Sequence, residues 1–159
     1  MNVLGRSYDS QTCSVAGSLA LIGERWTLLL IRDAFMGARR FEDFQRSLGV
    51  ARNILTARLN RLVEEGLFRR VRYQEHPDRY EYRLTEKGID LWPVIITLMK
   101  WGDRHLYPGR EPVVLSHKQC GGTINDRRIC ERCGTELGPR DVAAFRQAGA
   151  PATGAPTAV

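Results

Sequence analysis

The chain lacks any run approaching the roughly 18 unbroken apolar residues of a membrane span, and no positive start, apolar run and small-residue cleavage site combine into a secretory leader. A cytoplasmic protein with no membrane partner is the expectation. No internal repeat is present, which argues against a solenoid or a propeller. Histidine is scarce: His76, His105 and His117 are the only three. None stands at a spacing that pairs a nucleophile with a base, so an enzyme is not the expected class. The four cysteines belong to a reducing compartment on this reading and are expected to be thiols or metal ligands rather than disulfides.

What the chain does have is arginine in one place. With 159 residues, 43% of them hydrophobic, it has room for one core domain and a small appendage. Its net charge of +6 favours a polyanionic partner. Eleven arginines against seven carboxylates fall between Arg39 and Arg83.

Within that basic stretch, residues 51–66 place Leu55, Leu59 and Leu62 on one helical stripe, with Val63 at its edge. Asn53, Thr56, Ala57 and Asn60 take the opposite face, Arg61 flanks it, and Gly66 ends the helix. Short amides and a hydroxyl suit the edges of bases in a groove. Arg58 lies near the leucine stripe, where Glu42 or Asp43 could pair with it. Before this helix, Phe41, Phe44 and Leu48 give a shorter helix, and Gly49 turns the chain between the two. After it the period drops to two: residues 67–73 and 79–84 read as strands, joined by a turn-like link at residues 74–78. Two helices followed by a hairpin bearing Arg69, Arg70, Arg72, Arg79 and Arg83 have the layout of a winged helix-turn-helix. In that layout the second helix enters the major groove and the wing straddles phosphates or the minor groove.

The flanks complete the fold class, mainly α with a small β-hairpin wing. Residues 15–22 form a first helix that Ser14 can cap, and the almost wholly apolar residues 24–36 form a central buried helix ended by Gly37. Thr85 can cap a further helix reaching Leu106, interrupted by Pro93. Its apolar positions exceed what one domain covers, and Leu91, Val94, Ile95, Leu98 and Trp101 are expected to face a second copy. Residues 107–115 are Pro-rich and expected to be extended. Beyond them His117, Cys120, Cys130 and Cys133 form two knuckle-like pairs, each followed by glycine, a set suited to a tetrahedral structural zinc ion in a ribbon-like extension. The division expected is an arm at 1–12, the winged-helix and dimerisation domain at 13–106, the linker and knuckle at 107–146, and a disordered tail at 147–159.

Several of these segments resemble HxlR-type transcriptional regulators: residues 23–30 (GERWTLLL), Arg39-Arg40-Phe41, residues 55–59 (LTARL) with Gly66-Leu67, and residues 80–88 (YEYRLTEKG). The resemblance runs from Cys13 to about Leu106. It departs at Ala51, where a serine precedes the second motif helix, and at His76-Pro77-Asp78, where a proline pair is common. The resemblance implies a dimeric DNA-binding regulator, with an architecture related to MarR-type proteins and a response to electrophiles or small molecules. It also implies a redox reading for Cys13, beside the plainer one of a buried small hydrophobe. The DNA-contacting candidates are Asn53, Thr56 and Asn60 for base edges, Arg52 and Arg61 for phosphate or guanine, Arg79 for phosphate or the minor groove, and Arg39 and Arg40 as further DNA-binding residues. The expected function is a sequence-specific homodimeric regulator, a repressor in the first instance, on a roughly palindromic double-stranded operator. The rival is a protein-interaction adaptor that keeps the winged-helix shape without binding DNA. An effector site near Trp26, Trp92 and Trp101 is a further expectation, against the plainer reading of these aromatics as core.

Overall fold

The computed structural model describes residues 13–148. The expected arm at 1–12 lies outside the described residues, as does most of the expected tail. Six helices and four strands follow in order: α1 (Ser14–Ile22), α2 (Thr27–Phe35), α3 (Phe41–Leu48), α4 (Arg52–Glu64), β1 (Phe68–Glu75), β2 (Asp78–Leu84), α5 (Glu86–Ile89), α6 (Trp92–His105), β3 (Val113–His117) and β4 (Val142–Arg146). No single helix among the described residues is long and apolar enough to cross a membrane, and the apolar α1–α2 pair is bent by 79°.

Local chemistry sets the boundaries. The cap of α1 is not Ser14, as the sequence suggested, but Cys13, whose Sγ accepts from the Ala16 N–H at 3.3 Å. Asp43 in the first turn of α3 accepts the backbone N–H of Arg40 at 3.0 Å, and Gly49 closes the helix in the left-handed region at φ 62°. Thr85 Oγ1 accepts from Gly88 N at 3.2 Å and so opens α5. Pro93 does not kink one long helix; it sits in the first turn of α6, where a missing N–H costs nothing, and the chain breaks into α5 and α6 ahead of it.

Two hydrophobic clusters result. In the first, Leu30 and Ile31 of α2, Phe44 of α3, and Leu55, Leu59 and Leu62 of α4 are all essentially buried. Phe44 meets Phe68 at the root of β1 with ring centroids 6.1 Å apart. The hairpin β1–β2 is antiparallel, pairing Phe68 with Leu84 and Glu75 with Asp78, with a bulge between Arg72 and Gln74. Its strands run further than expected, leaving only His76 and the cis-bonded Pro77 between them. The wing is tied to the body where the N–H of Tyr82 donates to the Arg39 carbonyl at 2.7 Å. The second cluster joins Trp92 and Ile96 of α6 to Leu115, Ile124, Cys130 and Leu137 of the extension. Of the stretch expected to be extended, only residues 113–115 enter strand β3, which pairs antiparallel with β4 from Val113↔Arg146 to His117↔Val142; residues 107–110 turn instead, with the Arg110 N–H donating to the Tyr107 carbonyl at 2.9 Å.

Candidate nucleic-acid interface and His/Cys centre

The leucine stripe of α4 is within 1% of full burial, while Asn53, Thr56, Ala57 and Asn60 are exposed. Neither Asn53 nor Asn60 spends its amide on another side chain among the described residues. Thr56 donates its hydroxyl to the Arg52 carbonyl one turn back at 2.8 Å, leaving its methyl and oxygen lone pairs outward. Asn60 and Arg61 also edge a polar hollow between α4 and the α1–α2 turn.

The basic candidates divide by what holds them. Arg52 stacks on Phe41 at 4.7 Å and donates to Gln45 Oε1 at 3.2 Å, which fixes it beside the start of α4. Arg61 pairs with Glu65 at 2.7 Å. Arg40 lies over the Tyr73 ring at 4.6 Å. Arg39 is turned inward: its Nη1 donates to the carbonyls of Ala34 at 2.6 Å and Ala38 at 2.9 Å, at the end of α2. Burial, then the nearby Arg83 charge, lowers its pKa from the usual arginine value. This arginine caps a helix rather than reaching outward. Arg58 pairs with Glu24 of the α1–α2 turn, not with Glu42 or Asp43. On the wing, Arg72 is held by Glu75 at 3.3 Å and Asp78 at 3.4 Å, Arg83 by Glu81 at 2.9 Å, and Arg70 lies over Tyr80 at 3.7 Å. Arg69 and Arg79 are exposed, with guanidinium groups that meet no partner among the described residues.

Among the expected dimer residues, Val94, Leu98 and Trp101 are exposed at 40%, 51% and 52%. Leu91 and Ile95 instead pack against their own chain's first core. Val15 and Leu19 of α1 are also exposed, whereas Ile22 on the same stripe closes onto that core. The three tryptophans do not gather. Trp26 packs on the first core, Trp92 is buried in the second, and Trp101 lies tilted against His105 with centroids 5.0 Å apart. An apolar cavity of about 280 Å³ lies between α2 and α6, with Trp92 alone of the three in its wall.

The four knuckle residues do converge: one ligand atom from each of His117, Cys120, Cys130 and Cys133 lies within 4.8 Å of the others. Two equivalent turns bring them there. Gly121 N–H donates to the His117 carbonyl at 2.8 Å, and Gly134 N–H to the Cys130 carbonyl at 2.9 Å. Both glycines adopt positive φ, 73° and 74°. At Gly122 a Cβ would come within 2.6 Å of Cys130 Sγ, so only glycine lets the second ligand pair close on the first. His117 Nδ1 lies 3.2 Å from Cys120 Sγ and 3.3 Å from Cys133 Sγ, and Cys120 Sγ lies 3.4 Å from Cys130 Sγ. A tetrahedron built on zinc bond lengths has edges of about 3.6 Å for N···S and about 3.8 Å for S···S. These three of the six edges fall within a few tenths of an ångström of those lengths, and the cysteines are thiols, not disulfides. Hydrogen bonding to Thr135, hydroxyl then backbone, brings Cys133 down to about 6, toward the thiolate a metal takes. The centre can therefore hold a metal ion.

The HxlR-like helix-turn-helix family matches residues 21–110, more than half of the chain. The chain belongs to that family. An uncharacterised HTH-type transcriptional regulator of Mycobacterium tuberculosis, Rv3095, is 51% identical over 143 residues, covering 89% of this chain and 90% of its own. Among solved structures, PA1607, a candidate transcription factor, matches with a TM-score of 0.70 at 37% identity, covering 89% of this chain and all of its own. That share is too long to stop at α6, so the likeness extends into the His/Cys segment. The redox regulator HypR in its reduced form matches with a TM-score of 0.55 at 30% identity, covering 61% of this chain and 99% of its own. This HxlR-like protein is thus a transcriptional regulator with a DNA-binding winged-helix fold.

The sequence reading missed three features of the regulator's site. The inward turn of Arg39 is hidden in sequence because its acceptors are backbone carbonyls. The Glu24 partner of Arg58 stands 34 positions away, beyond any helical spacing. Strand β4 carries two alanines and one exposed phenylalanine, Phe145, too weak a pattern to announce a strand.

Proposed function

We propose that this regulator is a cytoplasmic homodimeric repressor that reads a roughly palindromic operator. In this reading Asn53, Thr56 and Asn60 of α4 contact base edges, and Arg79, Arg40, Arg52 and Arg61 contact backbone or guanine. The observation that carries it is the outward face of α4: three short polar side chains, two of them without a side-chain partner among the described residues, stand opposite a fully buried leucine stripe. A solvated helix face tends to carry long charged residues that pair with each other.

The exposed apolar faces of α1 and α6 supply the contact between copies, with Val15, Leu19, Val94, Leu98 and Trp101 at its centre. The His/Cys centre takes one structural Zn²⁺ with four protein ligands, which leaves no open position for catalysis. Cys13 is the redox-responsive thiol: it is exposed and its sulfur already accepts a backbone N–H at the start of α1. The apolar cavity between α2 and α6 is the place for a small-molecule effector.

The test is binding to the DNA flanking the protein's own coding region over a range of salt. Footprints on two half-sites related by dyad symmetry, and a log–log salt slope of about −0.9 for each phosphate neutralised, are the expected results. Affinity that is absent at low salt, or indifferent to salt, would leave the adaptor reading instead.

A further inference from the structure

The extension comprising residues 113–146 cannot stand as a domain of its own. Its buried apolar side chains are Leu115, Ile124, Cys130 and Leu137, and the core they form is completed by Trp92 and Ile96 of α6. The indole Nε1 of Trp92 donates to the Leu137 carbonyl at 3.2 Å, in a bond that is itself buried. On its other side Trp92 meets Phe35 of α2 edge-on, with centroids 5.1 Å apart. Cys130, 1% exposed, belongs both to this cluster and to the ligand set. Arg104 near the end of α6 pairs with Asp126 at 3.5 Å, a second grip further along the helix.

The helix has two faces at about 100° per residue. Trp92, Ile96 and Met99 fall on one side, against the extension. Val94, Leu98 and Trp101 fall on the opposite side and are exposed. The same 14-residue helix is therefore floored by the extension and outwardly free to meet another molecule.

We infer that the His117/Cys120/Cys130/Cys133 metal centre is a clamp on α6: a bound Zn²⁺ closes the extension, and the closed extension holds Trp92 and so fixes the pose of the outward face of α6. The order of events follows from size. A segment with four buried apolar side chains of its own lacks the core to fold alone, so the free energy of metal binding becomes the free energy of folding it. Without the ion, Leu137 no longer presents its carbonyl and Cys130 no longer packs beside Trp92. The helix then loses one wall while α2 remains on the other. The consequence for subunit contact rests on the homodimer proposed above; the consequence for α6 itself does not.

The test uses the full chain, purified without added zinc. Metal analysis is expected to find close to one Zn²⁺ per chain. Cys133→Ser is expected to lose it, and Cys133→His, which keeps four ligands on an exposed position, to retain it. Hydrogen exchange is the second readout. Chelation or Cys133→Ser should speed exchange in residues 113–146 and in residues 92–99 while α4 keeps its protection, and added zinc should restore the chelated wild type. The dimer dissociation constant, from sedimentation, should rise at least about tenfold with the same treatments and recover with Cys133→His.

Metal-free protein with residues 113–146 still protected would overturn the metal site. Metal loss that leaves exchange in residues 92–99 unchanged would overturn the clamp. Loosening of α6 with an unchanged dimer constant would overturn its link to subunit contact. A chain that is monomeric at every concentration, with the clamp behaviour intact, would reject the homodimer and leave the clamp standing.

Discussion

Asn53→Ala and Asn60→Ala separate recognition from folding more cleanly than any other substitution in α4. Both side chains are exposed and neither makes a hydrogen bond to another side chain among the described residues, so their loss should cost the fold little. Alanine is also the better helix former. Stability is therefore expected to stay within about 0.5 kcal/mol of wild type or to rise slightly. At the interface the accounting differs. An amide read by an adenine edge contributes about 1–3 kcal/mol of discrimination per base pair, a factor of roughly 5 to 150. A homodimer carries each change twice, so a palindromic site should lose about 2–6 kcal/mol. Seven residues of helix separate the two positions by about 10 Å, or about three base pairs, which is far enough for their effects to add. Anisotropy titrations against the operator and a scrambled duplex at one ionic strength measure the difference directly. The specific complex should weaken and the scrambled one should not. Equal losses on both duplexes, or a drop in melting temperature that accounts for the loss, would refute the assignment of this face.

Four other outcomes follow from the same geometry. Arg79→Ala, whose guanidinium meets no partner among the described residues, should weaken binding to every sequence and shallow the salt slope by about 0.9 for each wing that contacts a phosphate. Arg39→Ala should leave that slope unchanged and cost about 1–2 kcal/mol of stability in chemical denaturation, because the Ala34 carbonyl keeps only the Gly37 N–H and the Ala38 carbonyl loses the guanidinium donor. Leu98→Asp or Trp101→Asp, placed on the exposed side of α6, should give monomers by sedimentation while the circular dichroism stays that of the wild type. Cys13→Ser should bind the operator as tightly as wild type under reducing conditions; after mild diamide only the wild type should change, reversibly with thiol, and identical responses would reject Cys13 as the sensor.

Periodicity made the winged-helix core legible because α4 buries one face only, and its burial follows the leucine spacing directly. In the hairpin just Phe68 is fully buried and the rest of both strands is half-buried or exposed, so the sequence pattern marked the strands without a matching alternation of burial. Ligand spacing made the His/Cys centre legible as well, since two ligands three residues apart need only one tight turn each, and Gly121 and Gly134 supply it. What was hidden depended on contacts that leave no pattern. A thiol took the cap that Ser14 was expected to provide, because the chain enters α1 with Cys13 at φ −148° and ψ 153°, the extended geometry that aims its side chain back at the first turn. Arg39 looked like its neighbours in charge and differs from them only in facing two carbonyls.

The helix α6 shows why composition alone assigned its residues imperfectly. Its excess of apolar side chains signalled that more than one surface had to be covered, and that inference needed no partner to be known. The number of covering surfaces, however, is set by tertiary structure. Part of the excess went to a second partner within the same chain: Trp92, Ile96 and Met99 turned to the His/Cys extension, while Leu91 and Ile95 turned to the first core. Only Val94, Leu98 and Trp101 were left over. A shorter relative without the extension would expose the Trp92 face as well. An apolar residue there would meet water unless another segment covered it, so truncating this chain after residue 112 should uncover Trp92 and produce a protein that aggregates even when its winged-helix core is folded. A soluble, monodisperse truncation with native operator affinity would show that α2 alone holds α6 in place.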